Sequence, residues 1–167
     1  QLFSQPKRMT LDLPLSNRSL HVVNELLLAP TLTELTIFSD DEEHTQNLIR
    51  NISQPTFSRL VLLSISLGYP MKVFDALPKL ASIRHLYLQN MILNYSDLNL
   101  NMLHSVTTLH LMRIRMGTQL YSELFSDVSK FVNLKNLGIS IQTHDQSKPD
   151  YIDSLQFIKK LQLDELD

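Results

Sequence analysis

The sequence predicts an α/β solenoid: strand-and-return units stacked so that their strands share one parallel sheet of about seven strands. Three observations carry this. A short apolar line recurs along the chain at nearly constant spacing. Within each line the apolar residues alternate as a strand requires. Several of the segments between lines carry apolar residues at helical spacing instead.

The clearest line is Ile83-Arg84-His85-Leu86-Tyr87-Leu88. Taking its middle apolar residue as an anchor, the anchors are Met9, Leu35, Leu60, Leu86, Leu109, Leu137 and Leu161, spaced 26, 25, 26, 23, 28 and 24 residues apart. Two residues later come Leu11, Ile37, Leu62, Leu88, Leu111, Ile139 and Leu163. Three residues earlier come Pro6, Leu32, Phe57, Ile83, Val106, Leu134 and Ile158. Twenty of these twenty-one positions are aliphatic, Met or Phe; a period in this range marks stacked supersecondary units. One unit cannot bury its own apolar side, whereas stacked units bury a continuous core. Seven strands about 4.8 Å apart make a sheet roughly 30 Å across.

The return segments are expected on the other side of the core. Arg18–Ala29 places Leu20, Val23, Leu26 and Leu27 on one stripe, with Ser16 or Asn17 as an N-cap. Glu42–Ile52 follows Asp40-Asp41, carboxylates suited to a helix start, and turns Leu48, Ile49 and Ile52 inward. Lys72–Leu80 contains Pro78, which restricts a helix to its first turns. Asp97–Met102 alternates and is ambiguous. Gln119–Phe131 is the best helix, with Leu120, Leu124, Phe125, Val128 and Phe131 in phase. Asp150–Phe157, after Pro149, is expected as a short helix.

The recurring line resembles that of the leucine-rich repeat family, L-x-x-L-x-L followed by Asn or Cys. The resemblance runs from about Pro6 to Asp167. It implies a horseshoe with a concave sheet and helical or irregular convex segments, and residues 1–167 as a single solenoid. The family's Asn or Cys, five residues past the anchor, is here Pro14, Asp40, Ile65, Met91, Ile114, Gln142 and Leu166. No ladder of Asn side chains is therefore expected in the turns, and Leu67, Leu93 and Met116 fill three of them with apolar groups. The first strand begins, and the last one ends, too near the chain ends for a polar cap. The chain is thus expected to be an excerpt of a longer solenoid, its ends covered by flanking repeats or another chain.

Composition bounds the function. A net charge of −2 and scattered Lys and Arg argue against nucleic acid as the main partner. The acidic run Asp40-Asp41-Glu42-Glu43 reads as a solvated loop and helix start. No apolar stretch is long enough for a membrane span. Cysteine is absent, so no disulfide caps of the kind usual in extracellular members can form, which favours a cytoplasmic setting. Three sequons, at Asn17, Asn51 and Asn94, point the other way, to a secreted ectodomain with N-glycans.

No enzyme is expected. Three glycines build no phosphate loop, and no nucleophile elbow or helical His pair for zinc occurs. His85 and His110 both fall in strands and face outward in neighbouring repeats. They read more simply as polar residues of a surface than as a metal or pH-sensing pair. No cofactor is implied.

What remains is a surface. If anchors point inward, the residues at anchor−1, anchor+1 and anchor+3 face out, where Phe38, Val61, Leu63, Tyr87, His110 and Met112 form an apolar and aromatic centre within a polar rim. Arg59 and His85 flank it. These eight residues are the candidate protein-binding site. The resemblance implies a recognition module such as the sensing repeats of NOD-like or Toll-like innate immune receptors. Alternatives are the substrate-binding repeats of an F-box adaptor, or a structural segment whose central patch packs within a larger assembly.

Overall fold

The computed structural model describes residues 6–13, 22–23, 25–51, 59–72, 82–93, 100–126, 128–143 and 165–166. The strands are β1 (Arg8–Leu13), β2 (Glu34–Ser39), β3 (Leu62–Lys72), β4 (His85–Leu93), β5 (Thr108–Met116), β6 (Asn136–Thr143) and the two-residue β7 (Glu165–Leu166). They pair in chain order and all in parallel. Parallel neighbours require a crossover between them, and helices supply some: α1 (Glu42–Asn51), α2 (Thr118–Ser126) and 3-10 segments at Leu100–Ser105 and Val128–Phe131. Val22, Val23 and Glu25–Leu27 are also helical. Sheet and helices share one apolar core, in which Leu35, Ile37, Leu86, Leu88, Leu109 and Leu111 meet Leu48, Ile49, Leu120 and Leu124.

A backbone motif recurs at each strand entrance. The carbonyl of Lys7 accepts from the N–H groups of Thr33 and Glu34. Thr33 does the same for Val61 and Leu62, Val61 for Arg84 and His85, Arg84 for Thr107 and Thr108, and Thr107 for Lys135 and Asn136. Two residues past each of these carbonyl residues sits the buried strand anchor. The series corrects the third repeat: its anchor is Leu63, paired with Leu35 and Leu86, and not Leu60. The physical reason lies in Leu60-Val61-Leu62-Leu63-Ser64-Ile65-Ser66-Leu67. The apolar start fits two registers, but only one buries Leu63, Ile65 and Leu67 and leaves Ser64 and Ser66 half-exposed. Each large aliphatic side chain taken from water contributes about 1.5–3 kcal/mol, so the Leu60 register, burying serines, loses. In the seventh unit Leu137 pairs with Leu166, five residues beyond the expected anchor Leu161, which lies outside the described residues together with Leu163.

The apolar positions expected in turns are strand instead. Ile65 and Leu67 are buried within the first six residues of β3, and Met91, Leu93, Ile114 and Met116 in the second halves of β4 and β5. The strands stay in phase with the core by a local break. Asn90 and Arg113, at the same position of successive units, take φ of 56° and 54°. That left-handed residue shifts the alternation by one, so Met91 and Ile114 turn inward again. Asn tolerates this region; for Arg it is strained.

Asn90, four residues past its anchor, serves the backbone singly and not as part of a ladder. Its buried Nδ2 donates to the carbonyl of Leu67 in the neighbouring strand. Replacing it by Ala strands that carbonyl, at about 1–3 kcal/mol, and forces Ala into the left-handed region, at about 1–2 kcal/mol. Asn90→Ala is expected to cost about 2–5 kcal/mol in urea denaturation, and Asn90→Gly, which keeps the backbone, clearly less.

The helices follow their sequences. Asp41 caps α1: its carboxylate accepts from the His44 N–H at 2.8 Å, and this bond, then that to the His44 ring, holds its pKa below the ordinary value. Leu48 and Ile49 turn inward as expected. The expected helix at Gln119–Phe131 divides into α2 and a 3-10 turn, with Leu120, Leu124 and Phe131 buried. Val23 and Leu27 are buried in the first return segment, with Leu26 packed against them. Residues 97–102, ambiguous in the sequence, enter a 3-10 turn at Leu100. β3 runs through Lys72, and the rest of the expected Lys72–Leu80 helix, like that at Asp150–Phe157, lies outside the described residues.

Candidate partner-binding face

The core lies on one face of the sheet. The opposite face carries the residues that alternate with the anchors, and the ladder arranges them in rows running across the strands. The entrance row is Arg8, Glu34, Leu62, His85, Thr108 and Asn136. It is tied together by polar bonds: Arg8 pairs with Glu34, and the Thr108 hydroxyl meets His85 Nδ1 at 3.1 Å and Asn136 Nδ2 at 3.4 Å. These bonds hold neighbouring strands in register and limit rotation of the side chains that make them.

The middle row is Thr10, Thr36, Ser64, Tyr87, His110 and Gly138. Tyr87 and His110 pack ring on ring, centroids 4.9 Å apart and tilted by 54°. Offset and tilted pairs of this kind are favourable for ring quadrupoles. Gly138 makes the arrangement possible: a Cβ there would lie only 3.0 Å from His110 Nδ1. The third row is Asp12, Phe38, Ser66, Gln89 and Met112, with Phe38 45 % and Met112 37 % exposed.

Of the eight residues expected on this face, five are on it: Phe38, His85, Tyr87, His110 and Met112. Leu63 is not; it is a core residue, 1 % exposed, because the third unit is registered on it. Val61 is exposed but stands before β3, at the position of Thr33 and Arg84 on the strand-entrance rim. Arg59 is also displaced. Its guanidinium donates to the Ala29 carbonyl at 3.1 Å, and its Nε is buried without a partner. The expected continuous apolar centre is therefore broken. Phe38 stands three strands from Met112, about 14 Å away, with Ser66 and Gln89 between. The central cluster is Tyr87, His110 and Met112.

Arg59 belongs to a feature that strand alternation does not reveal. Four residues before each of five anchors, a polar side chain donates to a carbonyl of the preceding unit. Thr31 serves Pro6, Arg59 serves Ala29, Ser82 serves Leu60, Ser105 serves Ile83, and Asn133 serves His104. Parallel crossovers leave such carbonyls outside the ladder, and buried carbonyls need a donor. The signal in the sequence was the column itself, polar at every one of these positions once the third register is corrected.

His85 and His110 do not form a pair. They lie in different rows, one bonded to Thr108 and the other packed on Tyr87. Among the described residues no three His, Asp or Glu side chains come together as a metal site. A mainly apolar cleft of ≈650 Å³ is lined by Pro6, Val22, Glu25, Leu26, Leu28, Ala29 and Pro30, with Glu25 the one titratable residue among them. Among the described residues no helix is long and apolar enough to cross a membrane. Of the sequons, Asn51 ends α1, whereas Asn17 and Asn94 lie outside the described residues. Comparison with protein-family models, curated proteins and solved structures finds no match to this chain.

Proposed function

We propose that the chain is part of a leucine-rich-repeat-like solenoid and serves as a non-enzymatic recognition module, binding a protein partner through the open face of its sheet. The observation that carries this reading is the Tyr87–His110–Met112 cluster. An aromatic pair and a thioether stand partly exposed at the middle of the face, beside an entrance row in which Arg8 and Glu34, and His85, Thr108 and Asn136, are tied by polar bonds. Aromatic side chains supply large contact area at low conformational cost, and the pre-bonded rim limits the entropy lost on docking. Ligand sensing by repeats of an innate immune receptor type is one setting in which such a face is used.

Capture from native extract tests the reading, with the natural protein run beside a Tyr87→Ala, Met112→Ala double variant. The variant is expected to melt within a few degrees of the parent, since neither side chain is in the core, and to lose one specific protein from its catch. A catch unchanged by the double variant overturns the assignment of this face.

A further inference from the structure

Charge on the sheet is distributed unevenly. The chain has 17 Asp and Glu against 15 Lys and Arg, yet β3, β4, β5 and β6 contain no carboxylate at all. The sheet's acids lie on its outer strands: Asp12 in β1, Glu34 in β2 and Glu165 in β7. The central strands carry His85, His110, Arg113 and Arg115.

The two arginines are distinctive. Both are exposed, with the buried Ile114 between them, and alternation from Ile114 places Arg115 on the open side of β5. Arg113 sits next to Met112 at the point where β5 slips against β6, in the left-handed conformation. At the equivalent position of β4 the residue is Asn90, whose buried side chain bonds the adjacent strand. Arg113 meets the same backbone constraint with a side chain that makes no such bond. Among the described residues neither guanidinium has an ion-pair or hydrogen-bond partner. Arg8, by contrast, is matched by Glu34 in the next strand.

We infer that the open face takes an acidic peptide segment of its partner, with carboxylates on Arg113 and Arg115 and an apolar or aromatic side chain on the Tyr87–His110–Met112 cluster. This rests on the proposed use of that face for protein recognition and names the partner's chemistry. Two guanidinium forks two residues apart on one strand, roughly 7 Å, match carboxylates spaced along an extended segment, and Arg binds them bidentately. The surrounding central strands offer no carboxylate to repel them. Nucleic acid fits less well, because phosphate binding needs many cations and gains little from a Met and a tilted aromatic pair in a chain of net charge −2.

The test is selection from a displayed random dodecapeptide library against the natural protein, followed by affinity measurement. Selected peptides are expected to be enriched in Asp and Glu beside an aromatic or aliphatic residue. Arg113→Glu with Arg115→Glu is expected to weaken them about tenfold or more, with a melt close to the parent's, since both side chains are exposed. Added salt is expected to weaken binding to the natural protein and not to the variant. Peptides without acidic enrichment, lost in Tyr87→Ala but indifferent to the double Glu variant, overturn the acidic assignment and leave the face standing. Peptides indifferent to Tyr87→Ala as well overturn both. A single-stranded oligonucleotide bound more tightly than any selected peptide, and released by the double Glu variant, overturns it in favour of nucleic acid.

Discussion

Leu86→Asp is expected to abolish cooperative unfolding, and Tyr87→Asp, its immediate neighbour, to leave a normal melt. Leu86 is 0 % exposed in β4, between Leu63 and Leu109 of the flanking strands. Removing a buried Leu costs about 2–5 kcal/mol before any charge is considered. An unpaired carboxylate in that position adds several kcal/mol more. Single domains are stable by about 5–15 kcal/mol in total, so the sum consumes most or all of it. Tyr87 points the other way and gives up chiefly its packing on His110, a contribution of about 0.5–1.5 kcal/mol. Circular-dichroism melts of the two variants decide it. A folded Leu86→Asp beside an unfolded Tyr87→Asp would invert the assignment of both faces.

The second large effect tests the third repeat. Leu63→Ala is expected to cost about 2–5 kcal/mol in urea denaturation, and Leu62→Ala less than about 1 kcal/mol. Leu63 is buried against Leu35 and Leu86, whereas Leu62 is half-exposed on the entrance row between Glu34 and His85. The two residues are adjacent and chemically identical, so only register separates them. In the alternative register, anchored on Leu60, Leu62 would carry the larger cost. The result also bears on binding: a surface variant placed at Leu63 would unfold the protein and mimic loss of a partner.

These two experiments bracket what a binding study can use. Tyr87, His110 and Met112 can be changed without touching the core. Arg59, Thr108 and Asn90 cannot be treated so, because each bonds backbone or side chains of another unit. A loss of binding at any of these three would report damage to the stack as readily as loss of contact.

Much of this was legible in the sequence. Six of the recurring lines are unambiguous enough, or long enough, to place parallel strands in chain order. Alternation alone put Leu86, Leu88, Leu109 and Leu111 inward and Tyr87 and His110 outward. The helix start at Asp41 followed from its cap, and the inward stripe at Leu48 and Ile49 from its period. These are local consequences of side-chain geometry, and neighbouring residues suffice to determine them. Other features needed the neighbouring strand. The apolar run at residues 60–63 admits two registers, and the choice rests on Leu63, Ile65 and Leu67 being buried together against β2 and β4. The continuation of β4 and β5 into apolar second halves required left-handed residues at Asn90 and Arg113, a backbone choice that the pairing of the strands imposes. The side-chain bonds of Thr31, Arg59, Ser82, Ser105 and Asn133 join residues more than twenty positions apart, so no local pattern announces them. The sequence by itself determined the repeating strand and which of its faces is apolar, because alternation is a property of one strand. The tertiary structure decided register, the corners in β4 and β5 and the true membership of the open face, because those depend on which carbonyls and side chains the next unit brings alongside.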